Sequence, residues 1–212
     1  MPVELKTHYY VGVDLGQRRD YTAIAVIKDC VWRLEERDPV SYQFRLRRQT
    51  SLVGLRRLAL GTAYGEVARV VAELSRSEKL NGRCTVCVDS TGVGWPVVEQ
   101  MRKERMGGEL KAVVFTGGAK ARCADGHWTV PKSELLQGLQ LGFEEGSVLV
   151  AKGMKDWPAL KEEMLGMRRE KRVEGSRWTS LGRHDDLVMA VALAVWGQRR
   201  GQWRMEAQGR VV

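Results

Sequence analysis

The 212-residue sequence lacks any apolar run that approaches the roughly 20 residues needed to span a bilayer. The segment from Met1 to Lys6 also lacks the basic stretch, apolar core and small-residue cleavage site of a secretory signal. No internal repeat and no long low-complexity linker interrupts the chain. These absences predict a protein of the cytoplasm, built as one compact domain, with no membrane partner.

Cysteine is scarce, with four in the whole chain, and in the cytoplasm we expect all four to stay reduced. Cys84-x-x-Cys87 and Cys123-x-x-x-His127 contain the residue types of a zinc site. However, Cys84 and Cys87 border a predicted strand, in which positions three apart point to opposite faces. Buried or loop cysteines are therefore favoured over a zinc site.

Acidic residues are outnumbered, 26 against 35 Lys and Arg, which gives a formal net charge of +9. Such a surplus attracts polyanions, so nucleic acid or an anionic membrane is indicated, and charge alone does not choose between them. Most basic runs are explained equally well as solvated surface. Lys132 is a further candidate for contacting phosphate, because it opens a helix and a helix N-terminus favours phosphate. The candidate phosphate contacts are Arg45, Arg47, Lys132, Arg168 and Arg169.

Apolar periodicity predicts alternating elements along the chain. We predict strands over Tyr9–Leu15, Thr22–Ile27, Tyr42–Arg48, Thr85–Asp89, Lys111–Phe115 and Ser147–Ala151, and helices over Tyr64–Ser77, Pro96–Arg105, Pro131–Glu145, Asp156–Arg172 and Asp185–Gln198. The first two strands are predicted to form a hairpin, and a later strand–helix–strand unit a parallel pair. The sequence thus predicts an α/β domain over residues 1–198 with a mixed sheet, followed by a flexible basic tail, residues 199–212.

Four carboxylates stand at the ends of apolar elements: Asp14, Asp89, Asp185 and Asp186. Taken singly, Asp89 is explained as a turn residue, and Asp185 and Asp186 as helix caps. Together they are harder to explain, because an ionised carboxylate in apolar surroundings is costly unless it is paired or binds a metal. Hard cations such as Mg²⁺ take oxygen ligands, and two such ions can drive phosphodiester hydrolysis.

Four segments in this order and spacing, VGVDLGQRRDYTAIAVI, VDSTGVG, VPKSELLQGLQ and HDDLVMAVALA, resemble the nuclease domain of the phage terminase large subunit. The resemblance runs from about Tyr9 to Trp196. It implies an RNase H-like fold, with helices on both faces of a mixed sheet, and a DNA-packaging endonuclease that hydrolyses double-stranded DNA. It further implies two Mg²⁺ or Mn²⁺ ions and the host cytoplasm as location.

Carried over by position, Asp14 bridges the two metals, Asp89 binds one of them, and Asp185 and Asp186 complete the site. Which of the last two is the stronger ligand stays open. His184, just before this pair, is left outside the catalytic set. The small residues Ala190 and Ala194 are expected to let the last helix approach the sheet closely.

The family's ATPase half carries a GxxxxGK[ST] phosphate loop, and no such run occurs here. We therefore expect an excised domain, a prophage remnant or a separate nuclease that acts beside a packaging ATPase, a portal or a small terminase subunit. A sugar-kinase or actin-like ATPase shares the first-strand DLG pattern but needs two such domains. A Holliday-junction-resolvase-like nuclease and a non-catalytic DNA-binding packaging module remain as alternatives.

Overall fold

A computed structural model of the protein describes residues 1–16, 20–92, 94–172, 175–180 and 184–207, the side chains of 169–172, 175–177, 180 and 202–207 excepted. Over these residues the chain forms β1 (Val3–Asp14), β2 (Ala23–Arg37), β3 (Phe44–Arg57), α1 (Tyr64–Ser75), β4 (Cys84–Asp89), α2 (Gly94–Lys103), β5 (Glu109–Thr116), β6 (Arg122–Ala124), β7 (His127–Pro131), α3 (Lys132–Glu144), β8 (Val148–Val150), α4 (Trp157–Gly166), β9 (Met167–Arg172), β10 (Gly175–Ser180) and α5 (Asp186–Ala207).

Eight of these strands form one mixed sheet in the order β6-β7-β5-β4-β1-β2-β3-β8. β1 pairs with β2 antiparallel and with β4 parallel, and β5 follows β4 in parallel across the helix α2. The predicted hairpin, the predicted parallel unit and the mixed α/β architecture are therefore confirmed. The strands β9 and β10 form a separate two-stranded hairpin.

Helices cover both faces of the sheet, as expected. One core joins the sheet to α5, α3 and α4, and includes Ile27, Leu52, Leu136 and Leu193. The other joins the opposite face to α1 and α2, and includes Val11, Val71 and Met101. Successive residues of a strand point to opposite faces, so each central strand contributes apolar side chains to both cores. This is why the sequence of each central strand is a continuous apolar run.

The helix α5 crosses the middle of the sheet, and its residues from Asp186 to Gln198 are buried. Close approach is possible because small residues meet: a Cβ added to Gly12 of β1 would overlap the backbone of Ala190 and Ala194. The expected role of these two alanines is therefore confirmed, and Gly12 is their partner on the sheet. No helix in the described part of the chain is long and apolar enough to cross a membrane.

Several predicted boundaries were wrong. The strand β1 begins six residues before Tyr9, at Val3, and β2 continues ten residues past Ile27, to Arg37. The strand β3 continues nine residues past Arg48, to Arg57, and α5 continues past Gln198 to Ala207; residues 208–212 lie outside the described part. The basic run from Arg168 to Arg172 was predicted as the end of a helix. Instead α4 ends at Gly166, and the run pairs with β10 as strand β9. Hairpin pairing has overridden the helical propensity of Arg and Lys.

Candidate metal centre

Asp14 and Asp89 end two neighbouring strands at the same edge of the sheet. Val13 of β1 is the register partner of Val88 of β4, and the strands are parallel, so the next residue on each is an aspartate. Adjacent strands lie about 4.8 Å apart. The Asp89 carboxylate is held in place by the Thr91 backbone N–H, which donates to Asp89 Oδ1 at 2.8 Å.

Asp185 and Asp186 stand at the start of α5, which brings them to the same edge. Asp185 provides the first carbonyl of the helix, accepting from the Met189 N–H at 2.9 Å. Its carboxylate is about one-third exposed and pairs with Lys132 Nζ at 2.9 Å. Lys132 is the first residue of α3, directly after β7. The Asp186 side chain is almost fully buried.

Electrostatics show that these acids act on one another. Burial raises the pKa of Asp14 well above its ordinary value, and Asp89, Asp185 and Asp186 raise it further. Burial also raises the pKa of Asp89, against hydrogen bonds from Thr91. Lys132 opposes both shifts. A buried carboxyl group whose pKa three neighbouring acids raise lies at a site whose negative charge a cation would relieve.

Two residues that were not predicted to belong to the acidic site complete the surroundings of Asp186. Arg57, the last residue of β3, donates from Nε to Asp186 Oδ2 at 2.7 Å and from Nη2 to Asp186 Oδ1 at 3.2 Å. The same Nη2 also contacts Glu163 of α4. Burial raises the pKa of Glu163 to about 7, while hydrogen bonding from the Val188 N–H opposes the shift. The sequence held one indication of Glu163: it lies three residues after Leu160, and so on the same apolar face of α4.

The donor set suits a hard cation, since every candidate ligand is a carboxylate oxygen. Nevertheless, within the described residues no group of three or more Asp, Glu, His or Cys side chains is arranged to hold a metal ion. Among the same residues, Asp185 is paired with Lys132 and Asp186 with Arg57.

The predicted phosphate contacts are divided by the fold. Arg47 pairs with Trp32, nine residues along β2 from Ala23, the partner of Asp14. At about 3.3 Å per residue, that places Arg47 roughly 30 Å from the acids. Arg45 lies farther still and pairs with Glu36 at 3.7 Å. Only Lys132 of the five contacts one of the four acids among the contacts that the structure describes.

Arg168 begins the basic segment of β9 and is exposed. It donates from Nη1 to the backbone carbonyl of Leu165 at 2.8 Å, so part of its hydrogen-bonding capacity is used locally. The side chain of Arg169 lies outside the described part of the chain. His184 packs edge-on against Tyr21, with ring centroids 5.3 Å apart, and its buried Nδ1 lacks a partner among the described residues.

The cysteine pair does not converge. Cys84 belongs to the core beneath α1 and α2, whereas Cys87 belongs to the core beneath α5. The two thiols therefore point to opposite faces of β4, as the strand periodicity predicted. A surface cleft of about 320 Å³ lies at the other end of the sheet, lined by Lys6, His8, Tyr10 and Arg48 among others, and none of the four acids lines it.

Comparison with known proteins finds solved structures that are similar to this chain, but no matching family model. No protein-family model matches the sequence, and no curated protein matches it. The large terminase nuclease of thermophilic phage G20c covers 91% of this chain and 83% of its own, with 20% identity and a TM-score of 0.56. The g2p large terminase nuclease domain of bacteriophage SPP1, solved with bound Mn, covers 90% and 86%, with 11% identity and a TM-score of 0.52. The human cytomegalovirus terminase nuclease domain, Mn-soaked and inhibitor-bound, covers 89% and 82%, with 14% identity and a TM-score of 0.51.

The mixed sheet with helices on both faces places this chain in the RNase H-like class of folds. Within that class, the chain has the fold of viral large terminase nuclease domains over about nine-tenths of its length. The predicted resemblance is confirmed at the level of the fold.

Proposed function

We propose that this protein is a divalent-metal-dependent endonuclease that hydrolyses double-stranded DNA, as in viral genome packaging. The observation that carries the proposal is that four acids, Asp14, Asp89, Asp185 and Asp186, lie close enough for the last three to raise the pKa of the first. They come from three distant parts of the chain, namely the ends of β1 and β4 and the start of α5. The shared fold with viral terminase nucleases supports the same reaction class.

In this proposal Asp14, Asp89, Asp185 and Asp186 hold Mg²⁺ or Mn²⁺, with two ions in the working site. The Mn found with the SPP1 and cytomegalovirus domains supports a divalent cation. When bound, a pair of such ions supplies an activated water and stabilises the leaving oxygen of the phosphodiester. Asp14, whose pKa is raised by the three other acids, would be one of the residues that hold the metal.

Lys132 has two tasks in the proposal. In the metal-free protein it neutralises Asp185, from which a bound cation would displace it. Its ammonium would then be free to contact a DNA phosphate beside the cut, at a helix N-terminus that already favours phosphate. The exposed Arg168 on β9 is a second proposed DNA contact. A packaging ATPase, a portal and a small terminase subunit are the proposed protein partners.

A non-catalytic DNA-binding module is the second candidate. It is favoured by one observation: among the described residues the acids pair with Arg57 and Lys132 rather than gathering into a metal-binding group. If Asp185 stays paired with Lys132 and the four acids never gather around a cation, the chain binds DNA without cutting it.

Plasmid cleavage by the purified chain separates the two candidates. The wild type is assayed in Mn²⁺, in Mg²⁺ and in EDTA, beside Asp14→Asn, Asp89→Asn and the surface control Asp125→Asn. Asp125 is exposed, and its φ of 49° is one that asparagine also adopts. We expect metal-dependent cutting by the wild type and the control, and none by the two site variants.

DNA binding without cutting in Mn²⁺, with all variants folded, would contradict the nuclease proposal and favour the non-catalytic module. A strong preference for four-way junctions over linear duplexes would point instead to a resolvase-like nuclease.

A further inference from the structure

Arg57 joins three elements beside the candidate metal centre. It is the last residue of β3, and its side chain contacts Glu163 on α4. It also donates two hydrogen bonds, of 2.7 and 3.2 Å, to Asp186 at the start of α5. Its side chain is 26% exposed, while those of Glu163 and Asp186 are 7% and 5% exposed. The Arg57 Cζ lies over the Tyr21 ring, 5.3 Å from its centroid.

Glu163 does two things in this cluster. One carboxylate oxygen accepts from Arg57, and the other accepts from the backbone N–H of Val188 at 3.0 Å. Val188 lies in the first turn of α5, where backbone N–H groups have no partner inside the helix. A buried glutamate from α4 therefore caps α5 and at the same time holds the arginine that clasps Asp186.

The arrangement fixes both the position and the direction of the α5 acids. Arg57 donates once to each oxygen of Asp186, so the carboxylate cannot rotate without losing a charge-assisted hydrogen bond. Each oxygen keeps a lone pair that is free to face a cation. Carboxylate ligands of metal sites are commonly oriented by such outer hydrogen bonds.

We propose that Arg57 and Glu163 are positioning residues of the metal centre: they fix the first turn of α5, and with it Asp185 and Asp186, opposite Asp14 and Asp89. This inference rests on the proposed metal-dependent function. It differs from a DNA-contact role for Arg57, because Nε and Nη2 of the guanidinium already donate to two buried carboxylates.

The test measures Mn²⁺ binding to metal-free protein by electron paramagnetic resonance, and separately measures duplex affinity in EDTA. Arg57→Met removes the charge but keeps the apolar stem, and Arg57→Lys restores the charge without the two-pronged geometry. Glu163→Gln keeps the shape of the cap and serves if Arg57→Met does not fold. The matched control is Arg56→Met, an exposed neighbour on β3.

We expect Arg57→Met to weaken Mn²⁺ binding by about 10-fold or more, the usual effect of losing an outer-shell partner. Arg57→Lys should recover part of that loss, Glu163→Gln should weaken binding in the same direction, and Arg56→Met should match the wild type. Duplex affinity in EDTA should be unchanged by Arg57→Met.

Unchanged or tighter Mn²⁺ binding by a folded Arg57→Met would overturn the inference, and tighter binding would identify Arg57 as a competitor of the metal. A loss of duplex affinity with normal Mn²⁺ binding would also overturn it. If the wild type binds no Mn²⁺ at all, the proposed function itself fails, which the variants alone could not show.

Discussion

Replacing Gly12 with alanine tests the closest contact in the fold. Gly12 lies in the middle of the sheet, between Ala25 of β2 and Cys87 of β4. Its added Cβ would overlap backbone atoms of Ala190 and Ala194 on α5, and no side-chain rotation can relieve an overlap with backbone. Overpacking a core costs typically 1–3 kcal/mol, and this site belongs at the upper end, about 3 kcal/mol.

The assay is chemical and thermal denaturation of the metal-free protein. For a domain of this size, a loss of about 3 kcal/mol lowers Tm by roughly 6–12 °C. Because α5 carries Asp185 and Asp186, a shift of the helix would also weaken Mn²⁺ binding. The control is Gly65→Ala in α1, where a Cβ meets nothing within 4 Å and alanine should be neutral or stabilising by up to about 1 kcal/mol. If Gly12→Ala were as stable as the wild type, the close packing of α5 on β1 would be refuted.

Two further predictions concern the charges of the site. Asp186→Asn should lower the free energy of unfolding by about 2 kcal/mol, because it removes one buried partner of Arg57. Asp185→Asn should leave that free energy unchanged or slightly higher, since its pair with Lys132 is partly exposed and its charge repels Asp14. Equal losses for the two variants in urea denaturation would argue against this assignment of roles. In EDTA, the free energy of unfolding should fall as pH rises from about 4 to 7. The reason is that the folded-state pKa values of Asp14, Asp89 and Glu163 are raised above their unfolded values. The protonated carboxyl groups therefore stabilise the folded state at low pH, and this stabilisation is lost when they ionise. The Tm gain on adding Mn²⁺, which competes with protons, should accordingly grow with pH; a gain that shrinks with pH, or that survives in Asp14→Asn, would contradict the shared site.

The elements that sequence predicted well are those with a local signal. The continuous apolar runs before Asp14 and Asp89 indicated buried central strands, and a carboxylate at the end of such a run is conspicuous. Pro131 and Lys132 marked the start of α3 correctly. The alanines of α5 predicted its close packing, because residue size is a property visible in the sequence.

The rest depends on pairing between distant segments. No residue near Arg57 in the sequence indicates that β3 extends as far as Arg57. Nor does the local sequence indicate that Arg57 pairs with Asp186, 129 positions later. Arg45 and Arg47 looked equivalent to Lys132 as basic residues, yet strand length places them at the far end of the sheet. The basic run after Gly166 became a strand because β10 was there to pair with it.

The contact between α5 and β1 also sets the order in which the proposed site can form. β1 ends at Asp14, and the helix that covers it begins only at Asp186. Because β1 is synthesised before α5, the α5 side of the sheet stays open until α5 leaves the ribosome, and Asp14 and Asp89 then have no counterparts. Domains dominated by such distant contacts fold slowly. The proposed metal centre would thus be incomplete in a nascent chain that lacks α5, and any cutting activity would be withheld until α5 has been made.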